Sequence, residues 1–599
     1  MTVESLITQH IDTWTSAVKT KSTSGRGSSK KLELYGVKKL RELILELAVR
    51  GKLVPQDPSD EPASVLLERI AAEKAQLVKE KKIKKPKNLP EISDEEKLFE
   101  LPLGWEWAKL GNVATLKGGF AYKSKEFVDS GIHQVIRMGN VRPDEFLLDQ
   151  KTAFIEQNYA DMTSEYQLSE DDVLLTMTGT KGKRDYLYSL VVSETHLNGR
   201  KLYLNQRLCS LSSVFCFSKF INVAVKSNTL LDTIFCKSTG TANQANIGMD
   251  AISNWIVPIA PIEEQHRIVA KVDELMALCD QLEQQTEASI ESHQLLVSTL
   301  LNTLTHSADA NELMENWARI SDHFDTLFTT EESIDQLKQT ILQLAVMGKL
   351  VPQDPNDEPA SVLLERLNIE RNSWLLELSG IDNECKTMLR KLKKLGQPKS
   401  PFPLPKTWAC THLIELSRLL VDCHNKTAPY VDSGIPIIRT TNIRERKFVN
   451  KDLKYVNQET YEYWSRRCPP QHGDIMFTRE APMGEALIIP EGSKWCLGQR
   501  TMLIRPMHDY VSNEFLLLAL TEPHLLERAS EHAVGLTVKH LRVGDVENLN
   551  VPIPPLREQY EIVAKVNELM AICEQFKQRL KESQATQLHL TDAIVEQAV

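Results

Sequence analysis

The sequence predicts an α+β protein: two globular α+β domains, separated and flanked by long antiparallel coiled-coil helices in a pseudo-two-fold circular arrangement. Three observations predict it. Two segments recur about half a chain apart, heptad-spaced apolar residues follow each β-rich stretch, and the β-rich stretches are broken by Gly and Asn turns. At roughly 100–200 residues per domain, 599 residues hold several domains. Apolar residues make up 42% and charged residues 25%, as in ordinary globular chains. The net charge of −10 excludes a protein that is basic throughout, but not one with a local basic face. No run of about 18 apolar residues predicts a membrane span, and the first twenty residues lack signal-peptide grammar. Ten cysteines without any Cys-x-x-Cys pair read as reduced thiols of a cytoplasmic protein rather than a disulfide or zinc framework.

The repeats set the order of elements. Gly51–Arg69 reads GKLVPQDPSDEPASVLLER and recurs at Gly348–Arg366, with Ser59 replaced by Asn356 as the one difference. The helical run before it recurs as well: Val37, Leu40, Ile44 and Leu47 match Ile334, Leu337, Ile341 and Leu344. A second pair is VPIAPIEEQHRIVAKVDELM at Val257–Met276 and VPIPPLREQYEIVAKVNELM at Val551–Met570. Between these lie weaker matches: Trp105 with Trp408, Arg137 and Asn140 with Arg439 and Asn442, Asp172 and Thr176 with Asp474 and Thr478, Gln206 and Arg207 with Gln499 and Arg500. The expected organisation is an N-terminal helical region 1–95, a first variable domain 96–261, a central helical spacer 262–400, a second variable domain 401–555 and a C-terminal helical region 556–599. The middle contains both repeat types and each end only one, as a circular permutation of two equivalent halves would.

Each helical element has a local reason. Gly51 and Gly348, with Pro55 and Pro352 beyond, read as helix stops. Asp57, Asp60 and Glu61 read as the acidic start of the next helix rather than as a metal site. Ile268, Val272, Leu275, Cys279 and Leu282 form a heptad-like seam, repeated by Ile562, Val566, Leu569, Cys573 and Phe576. The expected partners of these seams are the helices near 32–50 and 331–347. About forty helical residues would span roughly 60 Å, more than one turn of DNA at ~34–36 Å. The run KEKKIKKPKN at 79–88 reads as a solvated segment, with a phosphate-contacting arm as the sharper alternative.

Enzyme signatures are missing from the sequence. It has no Gly-x-x-x-x-Gly-Lys-[Ser/Thr], no His-Glu-x-x-His, and no Asn/Asp-Pro-Pro-aromatic tetrapeptide of the amino-methyltransferase type. The variable domains instead carry basic and amide side chains on loops. The first offers Lys117, Lys123, Lys125, Arg137, Asn140, Arg142, Lys181, Lys183, Arg184 and Arg207. The second offers Asn425, Lys426, Arg439, Asn442, Arg444, Arg446, Arg479, Arg500, Lys539 and Arg542. Arg and Lys hold phosphates, Arg also pairs with guanine, and Asn or Gln pairs with adenine. Recurrent positions suit shared phosphate contact or shared fold, and divergent ones suit the reading of different bases.

Through the two GKLVPQDP segments, through Val551–Gln559 with its following helix, and through the copy at Val257–Gln265, the chain resembles the specificity subunits of type I restriction–modification systems. The resemblance covers about 32–599 and leaves Met1–Lys31 outside. It implies that each variable domain is a target-recognition domain for one half of a bipartite double-stranded DNA site. It implies that the helices set the gap and dock two methyltransferase subunits, and that restriction–translocase subunits complete the complex. S-adenosylmethionine, ATP and Mg would then belong to those partners, with no cofactor, metal or catalytic residue on this chain. Two other readings of the residues stay open: a coiled-coil scaffold with protein-binding variable domains, and a stand-alone DNA-modifying enzyme.

Overall fold

The computed structural model of the chain describes residues 3–22, 30–143, 145–240, 243–308, 310–424, 426–480, 482–525, 527 and 540–599. These form two compact units, Met1–Ala288 with Ser583–Val599, and Ser289–Glu582. No helix among the described residues is long and apolar enough to cross a membrane.

In the first unit the helix Tyr35–Val49 buries Val37, Leu40, Ile44 and Leu47, residues that share one face at helical spacing. It ends in a Schellman turn: the Lys52 N–H donates to Leu47 O at 2.9 Å, and Gly51 takes φ +64°. Gly51 is required twice over, because a Cβ there would also lie 2.5 Å from Pro102 Cγ and 3.0 Å from the Trp105 ring. The helix runs antiparallel to the first part of Ile262–His306. Arg41 reaches Asp280 and Glu283, each at 2.7 Å, while the loop after Gly51 meets that helix's first turn through Gln56 and Glu264. The last turns of Leu556–Ala598 complete this unit, where Tyr35 donates to Asp592 at 2.7 Å and Lys52 Nζ to Val599 O at 2.6 Å.

The second unit repeats the arrangement with its own residues. Helix Glu331–Val346 buries Ile334, Leu337, Ile341 and Leu344, and Gly348 (φ +71°) ends it with the Lys349 N–H donating to Leu344 O at 3.0 Å. A Cβ on Gly348 would lie 2.6 Å from Pro405 Cγ. Lys338 pairs with Glu574 at 2.5 Å and Asp335 with Lys577 at 2.8 Å, so this helix too runs antiparallel to its long neighbour. Lys349 Nζ caps the end of Ile262–His306 through Thr305 O and Ser307 O at 2.7 and 2.6 Å.

Each variable domain is closed by its own first and last strands. Glu106–Lys109 pairs antiparallel with Ile256–Ile259, and Ala409–His412 with Asn550–Ile553. Inside, the four-stranded antiparallel sheets have the same order. The first runs Ala114–Gly118, Leu208–Ser213, Val173–Thr176, Ser189–Val191, and the second Ser417–Asp422, Thr501–Pro506, Ile475–Thr478, Ala486–Ile488. Beside each sheet lies a parallel pair, His133–Ile136 with Lys201–Leu204 and Ile435–Ile438 with Cys496–Leu497.

Buried polar groups join helices to domains. Trp105 Nε1 donates to Glu264 at 2.9 Å and Trp408 Nε1 to Glu558 at 3.0 Å. Lys74 is buried, and burial lowers its pKa; its Nζ caps the short helix Leu110–Val113 through Gly111 O at 2.6 Å and Ala114 O at 3.0 Å. Arg371 performs the same service for Glu415 O, with its pKa lowered by burial to about 10. Asp60, from the acidic run, pairs with Arg267 at 2.5 Å, and Asp57 accepts from Ser59 N at 2.9 Å.

Gly348→Asn separates the two demands on that glycine. Asn tolerates left-handed φ but brings a Cβ, so denaturant unfolding is expected to show a loss of about 1–3 kcal/mol. The same change at Gly492 (φ +73°, nothing within 4 Å of a built Cβ) is expected to be near neutral.

Candidate nucleic-acid interface

Four of the loop-borne cations, Arg137, Arg207, Arg439 and Arg500, lie just past the ends of the parallel strands. In the first variable domain Arg137 follows His133–Ile136 directly and Asn205 follows Lys201–Leu204. In the second, Arg439 and Gly498 follow Ile435–Ile438 and Cys496–Leu497. Strand ends put side chains where the backbone leaves the sheet.

The recurrent Arg-x-x-Asn pair is a backbone bracket. Asn140 is 1% exposed, accepts from Arg137 N at 2.9 Å and donates to Leu147 O and Gln150 O at 2.9 and 2.8 Å. Asn442 is fully buried, accepts from Arg439 N at 3.2 Å and donates to Val449 O and Lys451 O at 3.2 and 2.9 Å. Of the two roles open to recurrent positions, the geometry gives these asparagines the structural one, since both amide N–H groups are spent on carbonyls and the side chains are buried. The arginines extend the bracket. Arg137 donates to Lys151 O and Arg439 to Asp452 O, and both acceptor residues are left-handed, at φ +48° and +51°. Asp452 also pairs with Lys454 and Arg439, which hold its carboxyl below the usual range. Arg142 and Arg444 turn back onto the carbonyls of Met138 and Thr440 at 3.4 and 2.6 Å.

The other candidates divide into exposed and engaged. Lys123, Lys181, Lys183, Arg207, Lys426 and Arg542 are exposed, and Lys117 is half-buried on its strand. The loop carrying Lys181 and Lys183 is clamped by Asp185, which accepts from Thr180 N at 2.7 Å and Oγ1 at 2.6 Å. Arg184 pairs with Asp232 and lies over Phe235 at 5.5 Å, and Lys125 pairs with Glu126 at 3.5 Å. Arg479 donates to Leu541 O at 3.1 Å, and Arg500 is ion-paired with Glu480. Arg446 is half-buried with φ +64°. Beside Lys426, the His424 ring stacks on Trp464 at 4.6 Å; burial, and then the charges of Arg466 and Lys426, lower its pKa. Asn425 and Lys539 lie outside the described residues.

The family described as "Type I restriction modification DNA specificity domain" matches residues 102–292 and 422–583. The chain belongs to this family. It is a specificity subunit by full-length likeness as well. It is 38% identical over 607 residues to the type I restriction enzyme EcoAI specificity subunit of Escherichia coli, and 37% identical over 621 residues to the EcoEI specificity subunit of the same organism, covering 100% of both chains each time. A solved chain titled for complex assembly and conformational transition of the type I R-M system covers 84% of this chain and 98% of that one, at 17% identity and a TM-score of 0.45.

Within this specificity subunit, an open hollow at the strand ends of the first variable domain collects Arg137, Lys151, Asn205 and Arg207. Arg137 and Arg207 are expected from the sequence. Lys151 and Asn205 are not, although Asn205 stands immediately before the recurrent Gln-Arg pair and is matched by Gly498, a divergence next to a constant. The exposed Lys181 and Lys183 sit on a separate loop.

Asn140→Ala and Asn442→Ala each strand three backbone groups. Thermal or denaturant unfolding is expected to show losses of about 1–3 kcal/mol for each, the signature of a bracket rather than of a ligand contact.

Proposed function

We propose that each variable domain reads one half of a bipartite, asymmetric double-stranded DNA site, and that the helical regions set the gap and dock two methyltransferase subunits. Restriction–translocase subunits join the same assembly. This chain makes and breaks no bonds. S-adenosylmethionine, ATP and Mg act on the partner subunits, and the present residues contribute positioning and sequence choice. The observation that carries the reading is the recurrence of one frame with unlike contents: the same sheet order and Arg-x-x-Asn bracket in both domains, but Asn205 and Lys151 in one where Gly498 and Asp452 stand in the other. Two different readers on one scaffold suit two different half-sites. Exposed lysines on loops supply sequence-independent phosphate attraction, so binding should fall steeply with salt.

Modified-base sequencing of a host that co-expresses this chain with its methyltransferase subunit tests the proposal. The expected result is methyladenine at one two-part motif, absent without the chain, and replacement of residues 105–260 by those of another specificity subunit should change one half of the motif alone. Absence of new methylation from a soluble assembled complex would refute it. The spacer role has its own test: removal of one heptad from 268–282 should alter the accepted gap or abolish assembly, and an unchanged gap with full activity would rule it out.

A further inference from the structure

Asn205 occupies a position that the frame builds with care and then leaves unused. Its backbone is fixed on three sides: its N–H donates to Ile136 O at 3.2 Å, its carbonyl accepts from Leu208 N at 2.9 Å, and it bridges to Phe120. Gly119 packs so closely beneath that a Cβ there would lie 2.0 Å from Asn205 O. A tight turn thus fixes the Asn205 backbone, and with it the point from which the side chain enters the hollow. Its amide makes no hydrogen bond to any described residue, in contrast to Asn140 in the same hollow, whose amide is fully committed. The neighbouring Arg207 is exposed, and its guanidinium likewise has no hydrogen bond or ion pair among the described residues.

The second domain differs at these same two places. Gly498 replaces Asn205, and a Cβ there would lie 2.3 Å from Ile438 O, so no side chain fits. Arg500 replaces Arg207 but is held by Glu480, whereas Thr178 stands at the position of Glu480 in the first domain and bonds Asn246 at 2.7 Å. The hollow of the first domain therefore offers a free amide and a free guanidinium side by side over a basic floor.

We infer that Asn205 is a specificity-determining residue of the first variable domain: its amide, presented at the rim of the Arg137–Lys151–Arg207 hollow, pairs with the edge of an adenine in one half-site. Arg207 contacts the adjacent base or phosphate. An asparagine amide places one donor and one acceptor side by side, the complement of adenine N7 and N6 in the major groove. The fixed backbone limits where the amide can reach, and the two bonds to one base edge form or fail together. This inference rests on the reading of the chain as a sequence-choosing DNA subunit.

The experiment maps methyladenine genome-wide with the chain and its methyltransferase subunit co-expressed, comparing wild type, Asn205→Ala and Asn205→Asp, with co-purification of the subunits as the assembly check. Asn205→Ala is expected to relax one position of one half of the motif, lowering discrimination there roughly 5- to 150-fold and leaving the gap and the other half unchanged. Asn205→Asp, an acceptor alone, is expected to move that position toward cytosine. Where the truncation fails to assemble, Asn205→Gln keeps the amide on a longer arm and must alter the same position. An unchanged motif, or a loss spread evenly over all motifs, overturns the assignment of Asn205 while leaving the functional reading intact. A wild-type chain that directs no two-part motif overturns both.

Discussion

A buried carboxylate in the first turn of each long helix holds a helix, a stop loop and a domain entrance in one register. Glu264 accepts from the Trp105 indole and from Gln56, and Glu558 accepts from Trp408 at 3.0 Å and Gln353 at 3.3 Å. Burial raises the pKa of both carboxyls, against the indole and amide donors that lower it. The second oxygen of Glu558 has no partner among the described residues, which favours the neutral acid more than an exposed site would. The next residue works in the same place: Gln265 accepts from Phe217 N at 3.0 Å, and Gln559 from Ser512 N at 2.8 Å. Directional bonds of this kind, more than apolar contact, decide how a domain is seated on its helix. The glycine stops belong to the same knot, because the ring that donates to the carboxylate is the ring a Cβ would strike.

With the seating held by residues that recur in both halves, the strand ends are one place where the two domains display unlike side chains. The Asn140 and Asn442 brackets hold their loops without regard to which side chains those loops carry outward. Left-handed residues at Lys151 and Asp452 receive the guanidinium through their carbonyls, so the side chain at that step is free to change sign without loss of the turn. Lysine in one domain and aspartate in the other illustrates this. The frame makes specificity separable from stability, residue by residue.

Much of this architecture was legible in the sequence, because it rests on local rules applied twice. Helix stops at Gly51 and Gly348, the apolar faces of both short helices and the matched tryptophans follow from periodicity and repetition. The antiparallel course of the helices was expected from the heptad seams, and the ion pairs of Arg41 and Lys338 describe it within each unit. The site was less legible. That Asn140 is spent on carbonyls as far away as Gln150, or that Lys74 and Arg371 are buried caps of short helices, depends on tertiary closure that no spacing reveals. Arg137 and Asn205 are 68 residues apart in the chain, and they meet because two parallel strands end together. Position in turn-rich stretches pointed to basic side chains on loops, and the structure sorts them into brackets, ion pairs and free groups.

The two units also differ in when they can be finished. Ser289–Glu582 is continuous, so every residue of that unit has been made before the last turns of the final helix. The other unit begins at the front of the chain yet needs Ser583–Val599, and its bond from Tyr35 to Asp592 closes a loop of 557 residues. During synthesis at about 5–20 residues per second, the first variable domain is complete long before the helix that closes its unit emerges. The later-encoded unit has all its residues about 1–3 s before the earlier one, whose helix Tyr35–Val49 meets its C-terminal partner only after everything between has been made. Closure of that 557-residue loop costs only about 0.7 kcal/mol more than the 242-residue closure from Asp335 to Lys577 in the other unit, so what sets the two units apart is the order in which their parts are made.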